Sequence, residues 1–384
     1  MKILILGGGI SGLSSAWFCR HRYPEAETIL LEKGSRLGGW MQTRREAGFL
    51  FEEGPRAFSW QRSPYLKGLV EELGLQSEVV VSKAKGNYLW QRGKLRSMRG
   101  MMLRCLPGLL WGKWKRGVEG DVSVYDFVVR KYGKRVAERL FDPLVLGIYA
   151  GDMRKLSFQS CFGKNLVWRR GELFTLRGGM GRLVEELERK VHVVKDCPVE
   201  RMDKEGVIAG GKRWRADQIF CALPSKEVDR LAGPSLGLPM LSLWRVFLVY
   251  SQPVVPHSGF GYLVPTTEKE PVLGMIWDST IFPEQNTASE TRLTVMIRGA
   301  VRDPVREALS AARRHLGTER EPLYASVVRA EEAIPQFEVG YEAKLAQWKK
   351  ELEKRFPKLR LVGNYLRGVS VEACVACAKE TVWA

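Results

Sequence analysis

The chain opens on Ile3-Leu4-Ile5-Leu6 and runs straight into Gly7-Gly8-Gly9-Ile10-Ser11-Gly12. Four apolar residues without polar alternation suit a central parallel strand buried on both faces. Leu13-Ser14-Ser15-Ala16-Trp17-Phe18 follows and reads as a helix. The glycines therefore stand as G-x-G-x-x-G between a strand and a helix start, the context that gives this spacing meaning. The first glycine permits the turn, the second admits a pyrophosphate to the backbone, and the third allows close packing of helix on strand. Free N–H groups at the helix start, helped by the helix dipole, then favour an anion. A second apolar run, Thr28-Ile29-Leu30-Leu31, ends in Glu32, placed to accept hydrogen bonds from ribose hydroxyls. Glycine turns alone recur for structural reasons; the whole succession predicts an adenine dinucleotide held by Gly7, Gly8, Gly9, Ile10, Ser11, Gly12 and Glu32.

At 384 residues the chain exceeds what one hydrophobic core normally fills, so two domains are expected. Its 61 basic and 43 acidic residues leave a formal charge of +18, which predicts attraction to an anionic partner. No C₂H₂ finger, RNP1 segment or KH-type loop is present, so nucleic acid is not expected. The seven cysteines are an odd set without a disulfide framework, as reduced thiols in a cytosolic setting would be. Cys374 and Cys377 form a C-x-x-C with no second pair, which favours two small buried thiols on one helix face over a metal site. Glycine interrupts the first apolar run too early for a secretory leader, and no stretch of about 18 apolar residues suggests a membrane span.

After Glu32 come Lys33-Gly34-Ser35-Arg36-Leu37-Gly38-Gly39-Trp40-Met41-Gln42-Thr43 and then Phe51-Glu52-Glu53-Gly54-Pro55-Arg56-Ala57-Phe58. The first resembles the R-x-G-G-x-x-x-T segment of the amine oxidase and protoporphyrinogen oxidase superfamily of flavoproteins. The second follows at that superfamily's spacing. Later stretches narrow the resemblance to the protoporphyrinogen oxidase family: Phe141–Asp152, Leu176–Leu183, Asp196–Glu200, Asp217–Pro224, Phe260–Pro265, Leu273–Ser279, Ala333–Phe337 and Leu361–Val371, in family order.

This resemblance implies FAD as cofactor and a fold of the α/β class. A Rossmann-like FAD-binding domain would come from residues 1–75, 174–224 and 356–384. A mixed-sheet substrate domain would occupy 225–355, with a helical, membrane-associated region at 76–173. It also implies that Lys33, Arg36, Gly39 and Trp40 wrap the diphosphate from a second side, and that Gly54, Pro55, Arg56 and Ala57 approach the flavin. Val199 would contact adenine, Tyr341 would stand near FAD, and Val369, Ser370 and Val371 would open a helix aimed at the flavin pyrimidine. Asn87 stands where many members place an arginine for a substrate propionate; either Lys85, close by, supplies the charge or the carboxylate is held elsewhere. Gly147 and Tyr149 are candidates for the cavity wall, or else structural strand or turn residues.

Residues Arg92 to Gly117 carry eight basic side chains and no acid, interleaved with Leu, Met and Trp. Pro107-Gly108 is expected to split any helix there in two. The segment suits either the headgroup layer of an anionic bilayer or a solvated charged face over a core helix.

The resemblance implies six-electron oxidation of protoporphyrinogen IX in haem synthesis, at the cytoplasmic membrane surface, with oxygen or a quinone as final acceptor. Coproporphyrinogen is the alternative substrate. A flavin amine oxidase and a non-catalytic porphyrin-binding flavoprotein are more distant readings.

Overall fold

The computed structural model describes residues 1–114, 118–163, 171–287 and 289–384. Its first sheet is parallel throughout. Strand β1, Lys2–Leu6, lies at the centre between β2, Glu27–Leu31, and Gln218–Cys221; Val193–Val194 and Leu359–Leu361 form the edges. Alternation along β1 divides two cores. Ile3 and Ile5 pack against Leu13 and Phe18 of helix α1, Ile10–Arg22, and against Val375 of the C-terminal helix Val371–Trp383. Leu4 and Leu6 face the other way, in a cluster with Val207 and Ala209 of a three-stranded antiparallel sheet. Covered on both sides, β1 needs apolar residues from Ile3 to Leu6, which is why that stretch shows no alternation.

The second sheet has seven strands, in the order Tyr324–Pro335, Met240–Tyr250, Thr291–Arg298, Val272–Trp277, Gly261–Leu263, Tyr88–Gln91 and Lys94–Ser97. Its one parallel pairing joins Gly261–Leu263 to Tyr88–Gln91. Val246, Leu248, Val295 and Ile297 point outward and are covered by Ala308, Ala311 and Ala312 of helix Pro304–Leu316. The opposite face looks toward the glycine turn. There Phe247 and Val249 pack on Phe51, joining the two sheets. The architecture is thus mixed α/β, with a parallel sheet facing a largely antiparallel one.

Two expectations change in detail. The segment around Pro107 is a single helix, Met98–Trp114, and is not split. Met101 and Cys105 bury one side of it, and a Cβ at Gly108 would press on the Tyr132 carbonyl oxygen at 2.6 Å. Tertiary packing against the neighbouring helix Val124–Tyr132 offsets the hydrogen bond proline removes. Gly147 and Tyr149 lie on a helix, Asp142–Tyr149, not on a strand or turn. The Leu273–Ser279 stretch leaves the strand at Trp277, and Asp278 begins a short helix. Lys115 and Arg116 of the basic segment lie outside the described residues.

All seven cysteines are free. Cys374 and Cys377 are both buried on the C-terminal helix, three positions apart on one face.

Candidate functional site

A cavity of about 860 Å³ lies between the two sheets. Its floor begins at the glycine turn. Gly9 stands as N-cap of α1 in an extended conformation, no side chain caps the helix, and no acid occupies its first turn. Gly7, Gly9, Ile10 and Ser11 line the cavity. Gly8 and Gly12 lie behind that wall. A Cβ at Gly12 would overlap the Gly7 carbonyl oxygen, whereas a Cβ at Gly9 would meet nothing within 4 Å. Gly9 thus opens onto empty space in front of uncapped amides.

Glu32 also lines the cavity and braces the turn. Its Oε2 accepts from the Gly8 N–H (2.7 Å) and its Oε1 from the Gly34 N–H (2.9 Å). Lys33 lines the same end, while Arg36 is exposed and outside the lining. The Gly38 N–H donates to the Gly8 carbonyl (2.8 Å), which brings Gly39 and Trp40 against the turn, where both line the cavity. Val199 lines it beside Pro198. Val369, just ahead of the C-terminal helix, and Val371, its first residue, line the cavity. Ser370 instead caps that helix, its Oγ accepting from the Ala373 N–H (3.1 Å).

Gly54, Pro55, Arg56 and Ala57 form the wall nearest the seven-stranded sheet. Arg56 is buried and paired with Asp278, and it donates to Thr294 Oγ1 (2.8 Å) and to the Glu52 carbonyl (3.3 Å). Thr294 in turn donates to Asp278 Oδ2 (2.7 Å). This network ties the wall to the sheet across the cavity edge.

Beneath it, Glu52 accepts from the Met180 N–H (2.7 Å) and the Thr43 hydroxyl (3.0 Å). Burial pushes its carboxyl up to about 7, despite those hydrogen bonds and the nearby Arg56 charge. The folded form therefore holds this proton more tightly than the unfolded form. Its stabilising effect is full below the unfolded value and is lost as pH rises through about 7. The shift corresponds to roughly 3 kcal/mol. The wild type is expected to lose thermal midpoint between about pH 4.5 and 7, and Glu52→Gln is expected to flatten that decline. Equal slopes in the two proteins would contradict this.

Asn87 and Gly147 line the same end. Asp142 fixes the Gly147 helix by accepting from the Thr266 N–H (2.8 Å) and hydroxyl (3.0 Å), so that Gly147 abuts Leu263. Lys85 is exposed and not in the lining. Tyr149 turns away: it is buried against Phe162 and Phe337, and its hydroxyl donates to the Cys161 carbonyl (2.8 Å). Tyr341 donates to the Tyr365 carbonyl and lines a second cavity, of about 720 Å³. The two cavities share Leu144, Ile148 and Tyr365 as walls. Sequence reasoning passed over Leu243, Arg245 and Met296, which line the main cavity from the sheet. The available signal was a single arginine within the long apolar run Met240–Tyr250.

Comparison with known families places residues 10–384 within the flavin containing amine oxidoreductase model. The chain belongs to the flavin containing amine oxidoreductase family. Among curated members, it is 28% identical to human protoporphyrinogen oxidase over 466 aligned positions, which cover 98% of this chain and 97% of the relative. It is 25% identical to the coproporphyrinogen III oxidase of Bacillus subtilis, covering 99% and 97%. In fold, the crystal structure of a candidate protoporphyrinogen oxidase from Exiguobacterium sp. 255-15 superposes with a TM-score of 0.87 at 22% identity, covering 100% of this chain and 98% of that one.

The cofactor of this flavoenzyme is FAD, and the residues present fit it. The side-chain-free space at Gly9, the uncapped amides behind it and the Glu32 carboxylate form a cradle suited to a diphosphate and a ribose. The helix opening at Val371 adds a second positive dipole end to the wall.

Proposed function

We propose that this flavoenzyme oxidises a porphyrinogen to the porphyrin in haem synthesis, with protoporphyrinogen IX as substrate and coproporphyrinogen III as the alternative. The observation that carries this reading is the likeness to curated enzymes of both names over nearly the whole of each chain. The cavity adds to it. Beyond the dinucleotide floor its walls are Leu144, Ile148, Leu243, Leu263, Ile276 and Met296, an apolar chamber suited to a poorly soluble macrocycle.

FAD, when bound, accepts two electrons per turnover, so three turnovers take the six electrons and six protons that separate porphyrinogen from porphyrin. The protein's part is to hold the macrocycle edge-on to the wall at Gly54–Ala57 and to exclude water. We assign no protein base, because the pyrrole nitrogens push electrons to the reacting carbon; three meso hydrogens leave as hydride, and of the three remaining protons two leave nitrogen and one leaves the fourth meso carbon by tautomerisation. Gly7–Gly12, Glu32, Lys33, Gly39, Trp40, Gly54–Ala57, Val199 and Val369–Val371 are proposed for FAD, with Asn87 and Gly147 on the substrate side; Arg36, Tyr149 and Tyr341 lie outside the cavity lining. The three-part FAD domain belongs to the same proposal, as does the sheet domain at 225–355, to which strands Tyr88–Gln91 and Lys94–Ser97 are added. Porphyrin fluorescence, followed with each porphyrinogen in turn, tests the function. Formation from one or both supports it, and formation from neither overturns it.

We also propose that the protein works as a peripheral protein on the cytoplasmic membrane face, passing electrons to oxygen or a quinone. No helix among the described residues is long and apolar enough to cross a membrane. Helix Met98–Trp114 nevertheless leaves Leu103, Leu106, Leu110 and Trp111 exposed, between 43% and 69%, beside the exposed Arg99 and Arg104. Apolar side chains set among cations suit an anionic headgroup layer. Wild-type protein is expected to co-sediment with phosphatidylglycerol vesicles and not with phosphatidylcholine. Leu110→Glu with Trp111→Glu is expected to weaken that binding tenfold or more, since burying each such side chain contributes about 2 kcal/mol. Equal sedimentation of variant and wild type would remove this part of the proposal.

A further inference from the structure

Arg245 sits midway along Met240–Tyr250, on the face that lines the cavity. Its neighbours there are apolar. Met296 is its register partner on one side, Leu243 precedes it on the same face, and both line the cavity. Phe247, next on that face, is packed on Phe51. Among the described residues the Arg245 side chain makes no hydrogen bond or ion pair, and its Nη1 is closed off from solvent without a partner. The carboxylate that acts on it through space, Glu53, is paired with Arg44 (2.8 Å). Burial, with like-charge repulsion from Arg56 behind it, pushes its pKa down to about 10, so it stays a cation at neutral pH.

The other two arginines among the described lining residues are committed. Arg56 is paired with Asp278, and Arg230 donates to Glu227 (2.9 Å) and to the Val199 carbonyl (3.0 Å). The donors for the diphosphate are already provided at the start of α1. A lone guanidinium in an apolar wall disfavours the fold that contains it. Its place in the cavity means that the missing anion can arrive with a ligand, and a flat guanidinium matches a carboxylate with two parallel N–H···O bonds.

We propose that Arg245 is the carboxylate anchor of the substrate site, holding one propionate of the porphyrinogen and so fixing which edge of the macrocycle meets the flavin. The assignment rests on the porphyrinogen reading above. The neutral Asn87 amide, in the same wall, supplies hydrogen bonds but no charge.

The test compares protoporphyrinogen with its dimethyl ester, both in the same detergent, for wild type, Arg245→Met and Arg245→Lys. Wild type is expected to favour the diacid in kcat/KM by roughly ten- to a hundredfold, the usual effect of a charge-assisted pair. Arg245→Met is expected to erase that preference through KM. Turnover of the ester, FAD content and flavin reduction potential should stay at wild-type levels. Arg245→Lys, which keeps the charge without the fork, should retain part of the preference. Because methionine removes an unpaired charge from an apolar wall, the thermal midpoint of the ligand-free variant should not fall. A wild type indifferent to esterification would overturn the anchor. So would a preference that survives in Arg245→Met, or a change confined to the flavin potential. A wild type that forms no porphyrin from either compound would overturn the porphyrinogen reading first, and the anchor with it.

Discussion

Replacing Gly9 with valine is expected to yield a folded protein that no longer retains FAD. The backbone at Gly9 is extended, with φ −69° and ψ 175°, a conformation open to any residue, and an added Cβ meets nothing within 4 Å. Neither strain nor a clash within the protein therefore opposes the substitution. The new side chain instead fills the space in front of the Ile10 and Ser11 amides, where the diphosphate must come. Overfilling a fitted site by a few carbon atoms costs up to about 3 kcal/mol, roughly a hundredfold in affinity, before any lost amide contact is counted. The expected preparation is colourless, with a thermal midpoint equal to that of wild-type protein stripped of FAD. Gly12→Val is the contrasting case, because a Cβ there overlaps the Gly7 carbonyl within the fold itself. It should fail as a folded protein. A yellow, fully active Gly9→Val protein would place the diphosphate elsewhere.

The second large effect is expected at Arg56. Its guanidinium is 8% exposed and joins the Gly54–Ala57 wall to Thr294 of the opposing sheet and to Asp278, which opens the short helix after Trp277. Arg56→Met leaves Asp278 as a carboxylate with 17% exposure and no cation paired to it. Breaking a buried pair from one side typically costs about 3–5 kcal/mol, well beyond an average substitution. The thermal midpoint should fall by several degrees, and FAD content should fall with it, because the same segment lines the cavity. Pairing Arg56→Met with Asp278→Leu should recover part of the loss, since no charge is then left alone. Single and double variants of equal stability would show that the pair does not hold the wall.

The glycine turn was legible because everything that defines it is local. The unbroken apolar run of β1, the glycine spacing and the acid at Glu32 sit within one continuous stretch, and the structure brings that stretch to one cavity floor. The seven-stranded sheet was legible only as separate strands. Tyr88–Gln91 pairs with Gly261–Leu263 across nearly half of the chain, and no periodicity within either strand records its partner. Pro107 misled for a related reason. Local preference argues for a break, and it is the packing of Met101, Cys105 and Gly108 on neighbouring helices that keeps the helix whole. Tyr149 stands beside Gly147 and Ile148 in sequence, but helical rotation carries it from the cavity into the core. Arg245 was visible as a charge inside an apolar strand. Its meaning depends on the absence of a partner, which only the folded arrangement reveals.

The central claim is that FAD bound in this cavity takes its electrons from a porphyrinogen. Anaerobic titration of the flavinated protein with protoporphyrinogen, followed through the visible flavin band and porphyrin fluorescence together, tests it most directly. The account predicts that each porphyrinogen consumed bleaches three flavins and releases one fluorescent porphyrin. A flavin band that stays unbleached while porphyrinogen binds, or a protein that takes up no FAD, would contradict it.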